Sequence, residues 1–109
     1  MKAVITTLLA CALLAGCAAG FNPPSRAPDA LGTAAAIETA DGVTSVLFEH
    51  DSGYEYFEGT TFVLDDEVDV GGKVTAASAI EVGDRIDVWT NECAESFPVQ
   101  CQVEAVKVE

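Results

Sequence analysis

Apolar and polar residues alternate along the second half of the chain with the period of two that is typical of strands with one buried face. Residues 85–90 (RIDVWT) and 99–104 (VQCQVE) show this alternation most clearly. After Glu104 the apolar parity switches to Val106 and Val108. The switch indicates a β-bulge near Glu104 and Ala105, because one extra residue turns the following side chains to the other face.

Shorter runs of apolar and β-branched residues occupy positions 33–40, 43–49, 54–57 and 60–64. Asp41-Gly42 separates the first two runs and favours a two-residue type I′ hairpin turn. Residues 75–80 predict one helical turn, and no helix of ordinary length fits after residue 17. The pattern therefore predicts an all-β domain over residues 32–109. We expect a small OB-like barrel of five to six strands with at most one short helical turn.

The N-terminus has the pattern of an export signal. Met1 and Lys2 are followed by an uncharged apolar run over residues 3–15, which is shorter than the roughly 20 residues that span a bilayer. The run ends in Leu14-Ala15-Gly16-Cys17, which resembles the lipobox of bacterial lipoproteins. The alternative is an ordinary secretory signal followed by a chance cysteine. Cys11 lies inside the run and is discarded with it in either case.

The lipobox resemblance implies cleavage before Cys17 and lipidation of that residue. Several acyl chains on one residue give a stable membrane anchor. Ala18 stands where an Asp would retain a lipoprotein in the inner membrane of a Gram-negative cell. The resemblance thus implies an exported protein in the outer membrane, or on the outer face of the cell membrane where there is no outer membrane.

A Pro-rich stretch follows the lipobox. Residues 18–31 hold three of the four prolines and no apolar periodicity. Such segments are extended at about 3.1 Å per residue, so this one would hold a domain up to roughly 40 Å from the lipid. The predicted organisation is a signal peptide (1–16), a lipidated cysteine with a Pro-rich tether (17–31) and a β-barrel domain (32–109).

The charge excludes one large class of partners. The 109 residues include five Lys and Arg against eighteen Asp and Glu, a formal net charge of −13. Removing residues 1–16 takes away Lys2 and no acidic residue, which leaves four against eighteen, or −14. Binding to nucleic acid depends on cationic side chains that displace counterions, so we expect no nucleic-acid role. The expected membrane attachment is the lipid on Cys17.

Cys93 and Cys101 are the two cysteines that remain after lipidation of Cys17. An even number of cysteines in an exported protein indicates a disulfide, which would stabilise a small domain by roughly 2.5 kcal/mol. A redox pair or a metal site is the alternative. A thiol oxidoreductase would favour C-x-x-C, and zinc would need four ligands in a chain whose only histidine is His50.

Three segments of the C-terminal half form a recurring pattern: residues 80–89 (IEVGDRIDVW), 95–100 (ESFPVQ) and 103–108 (VEAVKV). In these segments the chain resembles a family of small, uncharacterised exported bacterial proteins and lipoproteins. The most specific piece is the E-S-[YF]-P-x-Q turn. The resemblance implies an OB-like barrel and carries no activity. Cysteines equivalent to Cys93 and Cys101 are not part of the family pattern, so the disulfide would be an addition in this chain.

Two surface features suggest binding sites. Trp89, Glu95, Phe97 and Gln100 would rim a small-ligand or peptide site if the turn lay at the barrel mouth; otherwise the turn only closes the barrel. Asp65, Asp66, Glu67 and Asp69 would supply oxygen ligands for Ca²⁺, although they lack the EF-hand spacing; otherwise they form a solvated acidic run.

No nucleophile is linked to His50 by spacing, so no catalytic triad can be argued. We therefore expect a non-enzymatic, lipid-anchored envelope module without a cofactor that binds an envelope protein or a small ligand. A cation-binding domain is the first alternative, and a small enzyme is the second.

Overall fold

The computed structural model describes residues 21–109. The predicted signal peptide (1–16), Cys11 and the lipidation site Cys17 lie outside the described residues. The six strands are β1 (Ala30–Ala40), β2 (Val43–His50), β3 (Thr61–Leu64), β4 (Asp69–Gly72), β5 (Arg85–Ala94) and β6 (Gln100–Val108). Two 3₁₀ turns, Glu55–Phe57 and Ala77–Ala79, are the described helical elements. The all-β prediction is confirmed, with one more helical turn than expected.

The strands form a single sheet in the order β3-β2-β1-β5-β6-β4. All neighbours are antiparallel except β4 and β6, which run parallel. The sheet curls, so that Cα atoms of β3 and β6 come within 8 Å of each other. Over residues 21–109, however, no ladder joins β3 to β4 or to β6. The sheet is therefore curled and open, and hydrogen bonds do not close it into the expected barrel.

The hairpin between β1 and β2 forms at the predicted turn. Asp41 and Gly42 have φ of 54° and 78°, and Ala40 pairs with Val43. Positive φ at both central residues is the requirement of a type I′ turn. The pairing of β1 with β2 has a register shift between Ala34 and Ala36.

The core lies on the inner side of the curled sheet. Its largest fully buried side chains are Phe62, Leu64, Ile86, Val46, Val88, Val106 and Val108. Phe48 packs edge to face on Phe62, with ring centroids 5.1 Å apart. Gly32 makes room for this ring, because a Cβ there would lie 2.7 Å from Phe48 side-chain atoms. The alternating apolar residues of the sequence thus meet in one cluster.

The predicted bulge is present in β6. Thr90 pairs with Val103 and Trp89 pairs with Ala105, so Glu104 is the extra residue. Beyond it, Val106 and Val108 point into the core, while Trp89 and its partner Ala105 are buried outside the core cluster. The parity switch in the sequence therefore has a direct structural counterpart.

The N-terminal segment 21–29 differs from the expected tether, because it lies against the sheet. The Asp29 N–H donates to the Val88 carbonyl (2.9 Å), and the Trp89 Nε1–H donates to the Arg26 carbonyl (2.9 Å). β1 begins at Ala30, two residues before the predicted domain boundary at 32. The main chain of the segment supplies a donor and an acceptor to β5. The prediction of an extended spacer rested on the Pro-rich composition, which carries no information about these bonds. Within residues 21–109, no helix has the length and apolar character needed to cross a membrane.

Candidate binding cleft between strands β3 and β6

The opening of the sheet leaves main-chain groups of β3 without a neighbouring strand. The Phe48 N–H donates to the Thr60 carbonyl (2.9 Å). Hydrogen-bonded pairs recur at every second residue of an antiparallel ladder, so Phe62 and Leu64 also bond towards β2. Thr61 and Val63 consequently direct their N–H and C=O groups away from β2, towards β6.

The first half of β6 faces this edge. β4 covers only residues 105–108 of β6, so residues 100–104 have no second strand beside them. Cys101 pairs with Cys93 of β5 at a Cα–Cα separation of 3.9 Å. Such a close approach belongs to the non-hydrogen-bonded type of antiparallel pair. The N–H and C=O of Cys101 therefore point away from β5 and towards the opening.

A cleft of about 730 Å³ lies in this opening. Its walls are the start of β3 and the tip of the β5–β6 hairpin, and its lining residues are Gly59, Thr61, Val63, Glu92, Cys93, Ala94, Pro98, Val99, Gln100, Cys101 and Gln102. A second cavity of about 420 Å³ shares Val63, Cys101 and Gln102 with it and adds Asp65, Glu67, Val68, Asn91, Val103 and Glu104. The two cavities adjoin at these shared residues, and we call the pair the β3–β6 cleft.

The side chains of the β3–β6 cleft are acidic or neutral. Glu92, Asp65, Glu67 and Glu104 contribute carboxylates, and no Lys or Arg is among the described residues that line it. Arg26 lies near one of these groups, since its guanidinium is 3.4 Å from a Glu104 carboxylate oxygen. The other three carboxylates have exposed side chains. The cleft is therefore suited to a polar or cationic ligand.

The predicted disulfide between Cys93 and Cys101 is present and half-buried in the wall of the cleft. It links the two strands near the turn that connects them. Thr60, which is fully buried, donates its hydroxyl to the Val99 carbonyl (2.9 Å) and so ties the end of the hairpin to the start of β3. These two links hold the walls of the cleft in place.

The four residues expected to rim a ligand site are not all together. Gln100 lines the cleft. Glu95 accepts a hydrogen bond from the Tyr56 hydroxyl (3.0 Å), which raises the pKa of Tyr56. Phe97 is 88% exposed at the tip of the turn and forms no aromatic pair among the described residues.

Trp89 lies elsewhere, five positions along β5 from the Ala94–Gln100 pair. It is buried, bonds to the Arg26 carbonyl, and is not part of the cleft wall. Next to it, Asp29 accepts the Thr90 N–H (2.8 Å) and an Arg26 guanidinium N–H (3.1 Å). Partial burial opposes ionisation there, but these hydrogen bonds keep the pKa of Asp29 below its ordinary value. Trp89 therefore holds the N-terminal segment in place.

The acidic run 65–69 does not converge on one point. Asp65 accepts the Glu67 N–H (2.9 Å) and closes a local turn, while Asp69 in β4 accepts the Asn22 N–H (3.3 Å). Asp66 is exposed. In the part of the chain that the structure describes, no three His, Cys, Asp or Glu side chains are arranged to hold a metal ion.

Sequence reasoning missed most of the cleft. The alternation of apolar and polar residues predicts that Thr61 and Val63 face solvent. Their role in the cleft depends on β3 having no strand on its other side, which the local sequence does not show. Glu92 lies in the bulged part of β5, where Asn91 and Glu92 lie opposite the single residue Gln102. Neither the gap nor that bulge has a signal in the local sequence.

Comparison of the sequence with protein-family models, with curated proteins and with solved structures gives no significant match.

Proposed function

We propose that this protein is a lipid-anchored, non-enzymatic module of the bacterial cell envelope that binds a partner in the β3–β6 cleft. The observation that carries the anchoring is Leu14-Ala15-Gly16-Cys17 at the end of an uncharged apolar run. The resemblance to small exported proteins and lipoproteins also supports this proposal. The proposed location is the outer membrane of a Gram-negative cell, or otherwise the outer face of the cell membrane.

Three features of the cleft support a binding role. It has free main-chain edges on both sides, it is fixed by the disulfide and the Thr60–Val99 bond, and the exposed Phe97 stands at the tip of its hairpin wall. A preformed groove with a few hydrogen-bonding groups is a common form of ligand site. The role is proposed as non-enzymatic because nothing in the cleft pairs a nucleophile with a base: its two cysteines are joined to each other, and His50 is not among its lining residues.

The anchoring is tested with Cys17→Ser and Cys11→Ser variants of the full chain expressed in a bacterial host. Each changes one cysteine thiol to a hydroxyl, but only Cys17 is the proposed acyl acceptor. We expect Cys17→Ser to lose labelling by a fatty-acid probe and to leave the membrane fraction, and Cys11→Ser to keep both. Equal labelling of the two variants would contradict the proposal.

A further inference from the structure

The amide side chains of this protein are concentrated in the β3–β6 cleft. The chain has two glutamines, Gln100 and Gln102, and two asparagines, Asn22 and Asn91. All of these except Asn22 line the cleft, and the three belong to exposed residues that a ligand can reach. Carboxylates occur throughout a chain with eighteen Asp and Glu, so they do not distinguish the cleft from the rest of the surface. The amides do distinguish it.

The pairing of the strands places these amides on one outer surface. Gln100 and Gln102 lie on either side of the half-buried Cys101 in β6, so both side chains point to the solvent side, roughly 7 Å apart. Asn91 belongs to the part of β5 that lies opposite Gln102. The exposed Thr61 of β3 adds a hydroxyl from the other wall. The cleft therefore presents a row of neutral groups that form hydrogen bonds.

A ligand of the cleft lies over the outer surface and not between β3 and β6. Cα atoms of these strands come within 8 Å of each other, whereas an inserted strand would need two spacings of about 4.8 Å. The hydrogen bond from Thr60 to the Val99 carbonyl also crosses the gap. The larger cavity measures about 730 Å³, and typical small-molecule sites have volumes of about 300–1,000 Å³. A ligand of a few linked rings has this size.

The chemistry of the lining favours a ligand that is rich in hydroxyl groups. An amide presents donor N–H groups and an acceptor oxygen in one plane, and each hydroxyl also donates and accepts. Val63, Ala94 and Pro98 line the same cavity and supply apolar contacts for the C–H faces of a ring. The formal charge of −13 on the chain repels anionic ligands. Uncharged sugars combine hydroxyl groups with C–H faces.

We infer that the β3–β6 cleft binds an uncharged oligosaccharide. This inference rests on the proposed function and specifies the chemical class of the ligand. The sugar rings lie along the outer surface of β6, where the amides of Gln100, Gln102 and Asn91 bond to their hydroxyl groups. Because these hydrogen bonds are neutral, the affinity depends little on salt. A domain held at the outer side of a bacterial membrane has access to the glycans of the envelope.

The test observes the amides directly by nitrogen–proton NMR of the isotope-labelled full chain in detergent micelles. The side-chain NH₂ groups of the two glutamines and two asparagines give signals of their own. Asn22 lies beside Asp69 of β4, outside the cleft lining, and its signals are the internal reference. The probes are the trimer of N-acetylglucosamine and maltotriose, each titrated at low and at high NaCl.

We expect at least one of the two trimers to shift the signals of Gln100, Gln102 and Asn91 until they saturate. The dissociation constant should be on the order of 1 mM, because exposed neutral hydrogen bonds contribute little net free energy. It should change less than about two-fold between roughly 0.05 and 0.5 M NaCl, since no ion pair is formed. Absence of saturable shifts with both trimers would overturn the inference. Equal shifts at Asn22, or a strong dependence on salt, would overturn it as well.

Two control ligands separate the contributions of hydroxyl groups and charge. Glycerol at the same hydroxyl concentration has no ring, and it should cause no saturable shift. The trimer of galacturonic acid keeps the rings but adds a carboxylate to each, and it should bind at least about ten-fold more weakly. An equal response to glycerol would overturn the inference, because any polyol would then suffice. Equal binding of the acid trimer would overturn the assignment to an uncharged sugar.

Single amide variants locate the site. Gln102→Ala removes one exposed amide from the cleft, and Asn22→Ala removes one exposed amide elsewhere. The first should weaken binding of the better trimer about five-fold, and the second should change it less than about two-fold. Main-chain signals outside the cleft show that both variants are folded. Equal affinities of the two variants would overturn the assignment of the amides. Membrane attachment is measured separately, so failure of the sugars to bind leaves the anchoring proposal standing.

Discussion

At the scale of single residues, Trp89 shows how a side chain of the outer face becomes buried. Its strand partner Ala105 is small, and its indole bonds to the main chain of Arg26 in the Pro-rich segment 21–29. The indole N–H would otherwise be a buried donor without a partner, and the Arg26 carbonyl satisfies it. No buried side-chain nitrogen or oxygen among the described residues lacks a hydrogen-bond partner.

Trp89→Phe is expected to lower the free energy of unfolding by about 1–3 kcal/mol. It removes the donor to the Arg26 carbonyl at a site where water has little access. Tyr56→Phe is the matched control, because it also removes one hydrogen bond, to Glu95, but at an exposed position. Its cost should stay below about 0.5 kcal/mol. Urea unfolding of both variants makes the comparison, and equal costs would mean that Trp89 does not fasten the segment.

The sequence predicts residues well where their structure depends on neighbours in the chain. The Asp41-Gly42 turn, the bulge at Glu104 and the disulfide all follow from a dipeptide, a parity switch and a cysteine count. The covering of Trp89 does not follow, because it depends on a segment about sixty positions away. A Pro-rich composition predicts an extended backbone, and the segment is docked because its main chain can bond to β5.

At the scale of elements, the long β5–β6 hairpin forms one wall of the cleft. Its end extends past the part of β6 that β4 covers, so its outer half has few neighbours to support it. The disulfide joins Cys93 and Cys101 across this outer half. A disulfide stabilises mainly by restricting the unfolded chain, and the short loop that this one closes keeps the effect modest.

Replacing both cysteines, Cys93→Ser with Cys101→Ser, should lower the free energy of unfolding by about 2.5 kcal/mol. Reduction of the unmodified chain with dithiothreitol should give a similar loss, and the double variant should not respond to the reductant. Thermal unfolding with and without reductant measures these effects. A double variant that still responds to the reductant would contradict this explanation.

β4 is the element that the sequence does not predict. Asp69–Gly72 contains two glycines and follows an acidic run, and both features argue against a strand. In the structure Gly71 is buried against Phe21, and a Cβ there would overlap the phenyl ring. Gly72 has φ of +97° beside the main chain of Val108. The glycines are required by close contacts with distant parts of the chain, which local propensity cannot reveal.

At the scale of the whole molecule, a few acidic groups have a shifted pKa, and the shifts run in both directions. Hydrogen bonds from Lys73 and the Glu81 N–H lower the pKa of Asp84, and hydrogen bonds from Arg85 lower that of Asp51. Burial, together with the adjacent Glu109, raises the pKa of Asp87 to about 6. Lys107 and Arg85 face the same group and act in the opposite direction.

These shifts predict a maximum of stability on the acidic side of neutrality. Groups with a lowered pKa stabilise the fold at pH values above their ordinary pKa, which is near 4. This contribution is lost as the pH falls below that value. Asp87 binds its proton more tightly in the folded state, so stability falls as the pH rises from about 4 to 6. Urea unfolding at intervals between pH 3 and 8 should show both limbs.

Asp87→Asn tests the upper limb, because it removes the group whose pKa is raised. The decline in unfolding free energy between pH 4 and 6 should become shallower in this variant. Asp66→Asn removes an exposed carboxylate and serves as the matched control, with the decline retained. If both variants decline as steeply as the unmodified chain, Asp87 is not the source of the effect.

The docking of residues 21–29 sets how far the domain can reach. In a chain acylated at Cys17, only residues 18–20 separate the lipid from the folded part, which allows about 14 Å when fully extended. A free segment to residue 31 would have allowed roughly 40 Å. The anchored domain would therefore diffuse in the plane of the membrane and meet partners only in a thin layer above the bilayer. Partners that share this membrane would meet it at a high effective concentration, and partners fixed across the envelope would be out of range.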